Sequence, residues 1–226
     1  MLKEKTLLDR ITIEPAIPAT ACVIWLHGLG DSGAGFAPVV PHLNLPQDHS
    51  IRFIFPHAMN QAVTINNGLM MPAWYDIKNA DLHNRADMEG VLDSEELVRA
   101  LLQEQIDGGI SANNIVLAGF SQGGVMSLFT GLRFEQTLAG IMGLSCYLPI
   151  TNQLPTKLST ANNKTPVLQH HGQLDDVVPV TSGEMAHKLL SESGYNTHWQ
   201  VYRMAHSVLP QQLKDIGKWL MDCLEK

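Results

Sequence analysis

A chain of 226 residues with 45% hydrophobic content is long enough to bury one sizeable core, and one domain spanning residues 1–226 is the expectation. A formal net charge of −7 with no cluster of lysines and arginines excludes a nucleic-acid footprint and argues against strong attraction to anionic lipid. Three cysteines without metal-like spacing (Cys22, Cys146 and Cys223) read as buried thiols of a reducing compartment. Met1 to Arg10 lacks the apolar run of a secretory signal, and no apolar run reaches membrane-spanning length. A cytoplasmic protein without stable membrane insertion is expected.

Arg10-Ile11-Thr12-Ile13-Glu14 alternates like an edge strand, which Pro15 and Pro18 close. The first central strand, Ala21 to Leu26, runs into His27-Gly28-Leu29-Gly30-Asp31-Ser32-Gly33-Ala34-Gly35, a loop too rich in glycine to be regular. Ile51 to Pro56 is a further strand. Residues 57–88 then show no clear periodicity, and a connection of that length is usually a binding loop or disordered. Leu69-Met70-Met71-Pro72-Ala73-Trp74 is too apolar for a solvated linker. It reads either as a substrate-facing flap or as a loop that packs Trp74 into the core.

From Glu89 to Asp107 the apolar positions Val91, Leu92, Val98, Leu101, Leu102 and Ile106 recur at helical spacing, and Gly108-Gly109 ends the element. Ile115 to Ala118 suits a strand covered on both faces, followed by a helical run from Val125 to Phe129. Gly140 to Ser145, Pro166 to His170 and Trp199 to Tyr202 are further strands. Helices are expected near Ser182 to Leu190 and from about Val208 to Cys223. Strands separated by helices imply a mostly parallel central sheet with helices on both faces, an α/β architecture.

Gly119-Phe120-Ser121-Gln122-Gly123 lies at a strand-to-helix junction and fits G-x-S-x-G, the nucleophile elbow of α/β-hydrolases. The sharp turn aims the Ser121 hydroxyl outward and lays the Gln122 amide at a helix N-terminus, where developing negative charge is favoured. A serine nucleophile needs a base, and the base needs a carboxylate, in the chain order Ser, Asp or Glu, His. Asp175 and Asp176 follow the strand at Pro166 to His170 and compete for the acid; Asp175 is the choice. Among the later histidines, His170 and His171 precede the acid, His187 sits in a helix and His198 begins a strand. His206 alone follows the final strand at the carboxyl rim.

The second oxyanion donor is expected from the loop after the first central strand, at the Leu29 amide. Leu69, Met70, Met71 and Trp74, with the Val177-Val178 segment, suggest an acyl channel. Gly28-Leu29-Gly30-Asp31-Ser32-Gly33 also spells G-x-G-x-x-G, but Pro38 and Pro41 disturb the helix that a dinucleotide site needs, and no acid follows the next strand. Neither H-E-x-x-H nor paired cysteines occur, so no metal and no cofactor are expected.

With these residues assembled, the chain resembles the carboxylesterase and acyl-protein thioesterase branch of the α/β-hydrolases over nearly its whole length. The motifs that carry the resemblance are Leu26-His27-Gly28-Leu29-Gly30-Asp31, Met71-Pro72-Ala73-Trp74-Tyr75-Asp76, Gly119 to Gly124, His171-Gly172 through Asp175 to Val178-Pro179, and His206-Ser207. The resemblance implies Asp175 as the acid, four residues after His171. It also implies oxyanion donors at Leu29 and Gln122, a flexible loop around Trp74, and frequent homodimers. Ala205 departs from the glycine that many relatives carry before the histidine. The implied activity is cofactor-free hydrolysis of esters or thioesters with short to medium acyl chains, on small molecules, acylated proteins or lysolipids. A lysophospholipase, another lipase or an amidase would use the same residues, and a non-catalytic binding protein is the alternative of another class.

Overall fold

The computed structural model describes residues 8–79, 85–149 and 158–224. The chain opens with β1 (Arg10–Ile13) and β2 (Ala21–Leu26), and all six residues of β2 are buried. The glycine-rich loop that follows, expected to be irregular, contains a four-residue helix, α1 (Gly33–Phe36). Ser32 caps it by accepting the Gly35 amide at 3.1 Å. After β3 (Ile51–Pro56), the segment expected to lack periodicity holds a hairpin of β4 (Asn60–Val63) and β5 (Leu69–Pro72). The hairpin turn places Asn67 and Gly68 at φ of 56° and 74°, the left-handed region that Asn and Gly tolerate.

The remaining elements follow the expected alternation: α2 (Met88–Asp107), β6 (Ile115–Phe120), α3 (Gln122–Gly131), β7 (Gly140–Leu144), β8 (Val167–Gly172), α4 (Val180–Glu192), β9 (Thr197–Tyr202) and α5 (Pro210–Leu224). Seven strands form one sheet in the order β1-β3-β2-β6-β7-β8-β9. Only β1 runs antiparallel, against β3, as the edge strand that its alternation suggested. The hairpin forms a separate two-stranded sheet.

Alternation along the central strands decides which helices cover which face. Cys22, Ile24 and Leu26 of β2, with Ile115 and Leu117 of β6, pack with Val98 and Leu101 of α2 and with Val125 and Leu128 of α3. Ala21, Val23 and Trp25, with Val116 and Ala118, face Phe36 of α1 and Leu213, Ile216 and Leu220 of α5. Residues of one β-strand point alternately to opposite faces, so a strand buried on both sides must be apolar throughout. Each large side chain fully buried here contributes roughly 1.5–3 kcal/mol.

The parallel register also sets the site. Leu26 lies opposite Gly119, Phe120 opposite Leu144, and Gly172 opposite Tyr202. The loops after β2, β6, β8 and β9 therefore leave the sheet at one rim, where α/β folds gather their reactive groups. Among the described residues no helix is long and apolar enough to cross a membrane.

Candidate active site

Ser121 joins β6 to α3 with φ 53° and ψ −119°, a strained conformation for a residue with a side chain. Its amide donates to the Leu144 carbonyl at 2.8 Å, and its carbonyl accepts from Val125 at 3.0 Å, so the turn is held from both sides. A Cβ on Gly119 would lie 2.1 Å from the Gly123 carbonyl oxygen, and one on Gly123 2.3 Å from that of Leu26. These are backbone atoms that no rotamer change can move aside. Gly123→Ala is accordingly expected to destabilise the fold by about 3 kcal/mol or more, read as a shift in the chemical denaturation midpoint. An unchanged midpoint would show that the elbow tolerates a methyl group.

At the rim the structure brings Ser121, His206 and Asp175 together. His206 Nε2 lies 2.8 Å from Ser121 Oγ, and its Nδ1 lies 2.7 Å from Asp175 Oδ2. Asp175 is buried, and its Oδ1 accepts the amides of Val177 at 3.0 Å and Val178 at 2.8 Å. With the Nδ1 proton directed at the carboxylate, the Nε2 lone pair faces the serine hydroxyl. Asp176, the competing acid, is exposed.

The other candidate histidines lie elsewhere. His171 donates Nε2–H to the Val178 carbonyl at 2.8 Å and lies 3.5 Å from Asp175 Oδ2, so it buttresses the acid loop, a role that no local sequence signal marks. His187 pairs with Thr197. His170 is buried beside Tyr202, and its Nδ1 has no hydrogen-bond partner among the described residues. Burial, with His198 nearby, pushes His170 down to about 4. A histidine whose folded pKa lies below its unfolded value of roughly 6.5 contributes stability above that value and loses it as pH falls toward 4. This group alone is expected to remove about 3 kcal/mol between pH 6.5 and 4. Comparing melting curves of the parent and His170→Asn across that range checks the sign, since the variant should show the shallower loss. Burial also pushes the Cys22 thiol up to about 12 and raises that of Cys146, which leaves neither as a rival nucleophile at neutral pH.

The two amides expected to face a developing oxyanion, Leu29 and Gln122, line the same cavity as Ser121 and His206. His27 sets the first of them. Its Nδ1–H donates to the Gly28 carbonyl at 2.7 Å, and its Nε2 accepts the Ala58 amide at 3.0 Å, which fixes the tautomer. Burial lowers the His27 pKa and keeps the ring neutral. In a planar trans peptide the carbonyl and the following N–H point in opposite directions, so tying down the Gly28 oxygen also fixes the direction of the Leu29 N–H. Gln122 is the first residue of α3, where an amide has no intrahelical acceptor. Its buried side chain reaches the other way, accepting the Trp74 amide at 2.8 Å and donating to the Tyr75 carbonyl at 2.7 Å.

The cavity measures about 230 Å³. Of the residues expected along an acyl channel, Val178 lines it, whereas Leu69, Met70, Met71 and Trp74 are not among its lining residues. Leu69 and Met70 stand 62% exposed on β5. Met71 is half-buried, with its Sδ near Gly30. Trp74 is 1% exposed and donates its indole N–H to the His27 carbonyl at 2.9 Å, so it supports the Leu29 loop from beneath. Tyr75, Ile77, Arg85 and Tyr147, which sequence reasoning missed, complete much of the wall. Among the described residues no group of His, Cys, Asp and Glu is arranged to hold a metal ion.

Residues 9–224 match the phospholipase/carboxylesterase family. Acyl-protein thioesterase 1 of Gibberella zeae is 40% identical over 210 residues, covering 89% of each chain. Acyl-protein thioesterase 1 of Yarrowia lipolytica is 39% identical over 212 residues, 92% of this chain and 93% of that one. Among solved structures, SOBER1 of Arabidopsis thaliana superposes with a TM-score of 0.85 at 31% identity, covering 90% of this chain and 99% of its own. With the rim geometry, the mostly parallel sheet and these matches, the chain belongs to the phospholipase/carboxylesterase family of α/β-hydrolases.

Proposed function

We propose that this protein is a cytoplasmic serine hydrolase that cleaves carboxylic esters and thioesters, with Ser121, His206 and Asp175 as its catalytic residues. The observation that carries the reading is the unbroken chain of short contacts from Ser121 Oγ through both ring nitrogens of His206 to Asp175. The family match across residues 9–224 supports reading the chain as one catalytic domain.

His206 takes the hydroxyl proton as Ser121 Oγ attacks the acyl carbonyl, and the negative charge that forms on the carbonyl oxygen faces the Leu29 and Gln122 amides. The tetrahedral adduct collapses with loss of the alcohol or thiol, to which His206 returns the proton. Water, activated by the same imidazole, then attacks the acyl-enzyme and releases the acid and the free serine. Relatives named acyl-protein thioesterase support an S-acylated cysteine of a protein as one substrate. The modest cavity, with Val178 in its wall, supports short to medium acyl chains.

Two measurements test this. A fluorophosphonate probe should label the parent protein at Ser121, with the modified peptide identified by mass spectrometry, and p-nitrophenyl esters and an S-acylated peptide should both be turned over. Absence of labelling together with absence of turnover would favour a binding protein that retains the fold. Turnover of a lysophospholipid well ahead of both ester and S-acylated peptide would move the assignment to a lysophospholipase.

A further inference from the structure

Arg85 stands in the wall of the catalytic cavity, beside the start of α2, with its carbonyl accepting the Lys78 amide at 2.8 Å and Ala86 bridged to Ile77. It is 9% exposed, and its Nε is enclosed without a hydrogen-bond partner among the described residues. The other enclosed or half-buried arginines answer carboxylates: Arg10 pairs with Glu104, Arg52 with Glu14, and Arg99 and Arg133 with Glu95. Among the described residues no carboxylate forms a salt bridge with Arg85. Its aromatic contact with Tyr147 is modest, with the guanidinium carbon 5.8 Å from the ring centroid. A guanidinium withdrawn from water without a counter-charge is costly, and an anionic group entering the cavity would offset that cost.

A second donor converges on the same wall. The hydroxyls of Tyr75 and Tyr147 lie 3.1 Å apart, and both residues line the cavity. One hydroxyl hydrogen is used between them. Whichever ring donates, the other hydrogen has no acceptor among the described residues. Burial raises the pKa of both phenols, so both remain protonated donors. Ile77, Val177 and Val178 make the surroundings apolar, which strengthens any charge–charge contact formed there. The net charge of −7 gives anions no general attraction to this protein, so selection for one must arise locally.

We infer that Arg85 and the Tyr75–Tyr147 hydroxyl pair form a subsite for a carboxylate carried by the substrate, in the same cavity as the scissile bond. The inference rests on the serine-hydrolase reading for the position of that bond. The carboxylate belongs either to the acyl group or to the alcohol or thiol that leaves, and the chemistry at Arg85 is the same for both.

Three esters separate the cases: p-nitrophenyl butyrate, which is neutral; mono-p-nitrophenyl glutarate, with its carboxylate on the acyl side; and 4-butyryloxybenzoate, with its carboxylate on the leaving side. The parent should favour one of the two carboxylate esters over the neutral ester in kcat/KM, and the favoured one identifies the side. Arg85→Met and Arg85→Gln should lower the ratio of that ester to the neutral one by roughly 10- to 100-fold, chiefly through KM, and Arg85→Lys should restore part of it. A ratio that Met and Gln leave within about twofold overturns the subsite, as does a parent that prefers the neutral ester to both others.

If no ester is turned over, the hydrolase reading fails and a second readout judges the subsite. Glutarate should raise the melting temperature of Ser121→Ala protein, and Arg85→Met in that background should abolish the rise. No rise with Arg85 intact would count against the subsite by itself.

Discussion

Ser121→Ala is expected to lower kcat/KM for a short-chain ester or thioester by on the order of 10⁶ while leaving the fold in place. The two halves of that expectation have different sources. Loss of the proposed nucleophile removes the covalent path, and the proposed donors at Leu29 and Gln122 would then only polarise a carbonyl toward water. The fold persists because the Ser121 side chain makes no capping bond to α3, and its one described hydrogen bond runs to His206. Breaking it costs about 1 kcal/mol. Steady-state kinetics and a melting curve on the same preparation check both halves. Residual turnover above roughly one part in 10³ would point to a different nucleophile.

Asp175→Asn is expected to lower kcat by roughly 10⁴. The two oxygens of Asp175 are not equivalent. Oδ1 accepts the Val177 and Val178 amides, so in an asparagine that position must remain the carbonyl oxygen or two donors lose their acceptor. The amide nitrogen is then forced to the Oδ2 position, where it presents hydrogen to His206 Nδ1. The imidazole answers by carrying its proton on Nε2, and the lone pair needed to accept from Ser121 is gone. A rise in pH should not rescue the variant, because the defect is the tautomer and not the charge. A turnover loss of tenfold or less would mean that the orientation of His206 is held by some other contact.

Much of this was legible in the chain because the relevant signals are local. Apolar runs such as Ala21 to Leu26 and Ile115 to Ala118 announce buried strands, and the glycines flanking Ser121 announce the turn between strand and helix. Chain order and the parallel rim then narrowed the histidines to His206 before any distance was known. The hairpin of Asn60–Val63 and Leu69–Pro72 escaped because its strands are four residues long and largely exposed, so no alternation marks them. Its one signal, Asn67-Gly68, is the dipeptide of tight turns and would have found it.

Trp74 was open to either a flap or a core reading because its aromatic ring suits both, and only the acceptor at His27 shows which way it turns. Arg85, Tyr75 and Tyr147 carry no shared pattern. They come from three stretches of chain that tertiary packing alone brings to one wall.

The side chain of Gln122 has a consequence for how a substrate enters. Through its amide it clasps the main chain at residues 74 and 75 with two buried hydrogen bonds, while its own backbone belongs to the catalytic turn. Lifting that part of the loop away would strand two donor–acceptor pairs out of reach of water, a penalty of roughly 1–3 kcal/mol for each group left unsatisfied. Residues 74 and 75 thus act as a fixed doorpost, and a bulky acyl donor must pass them without displacing them.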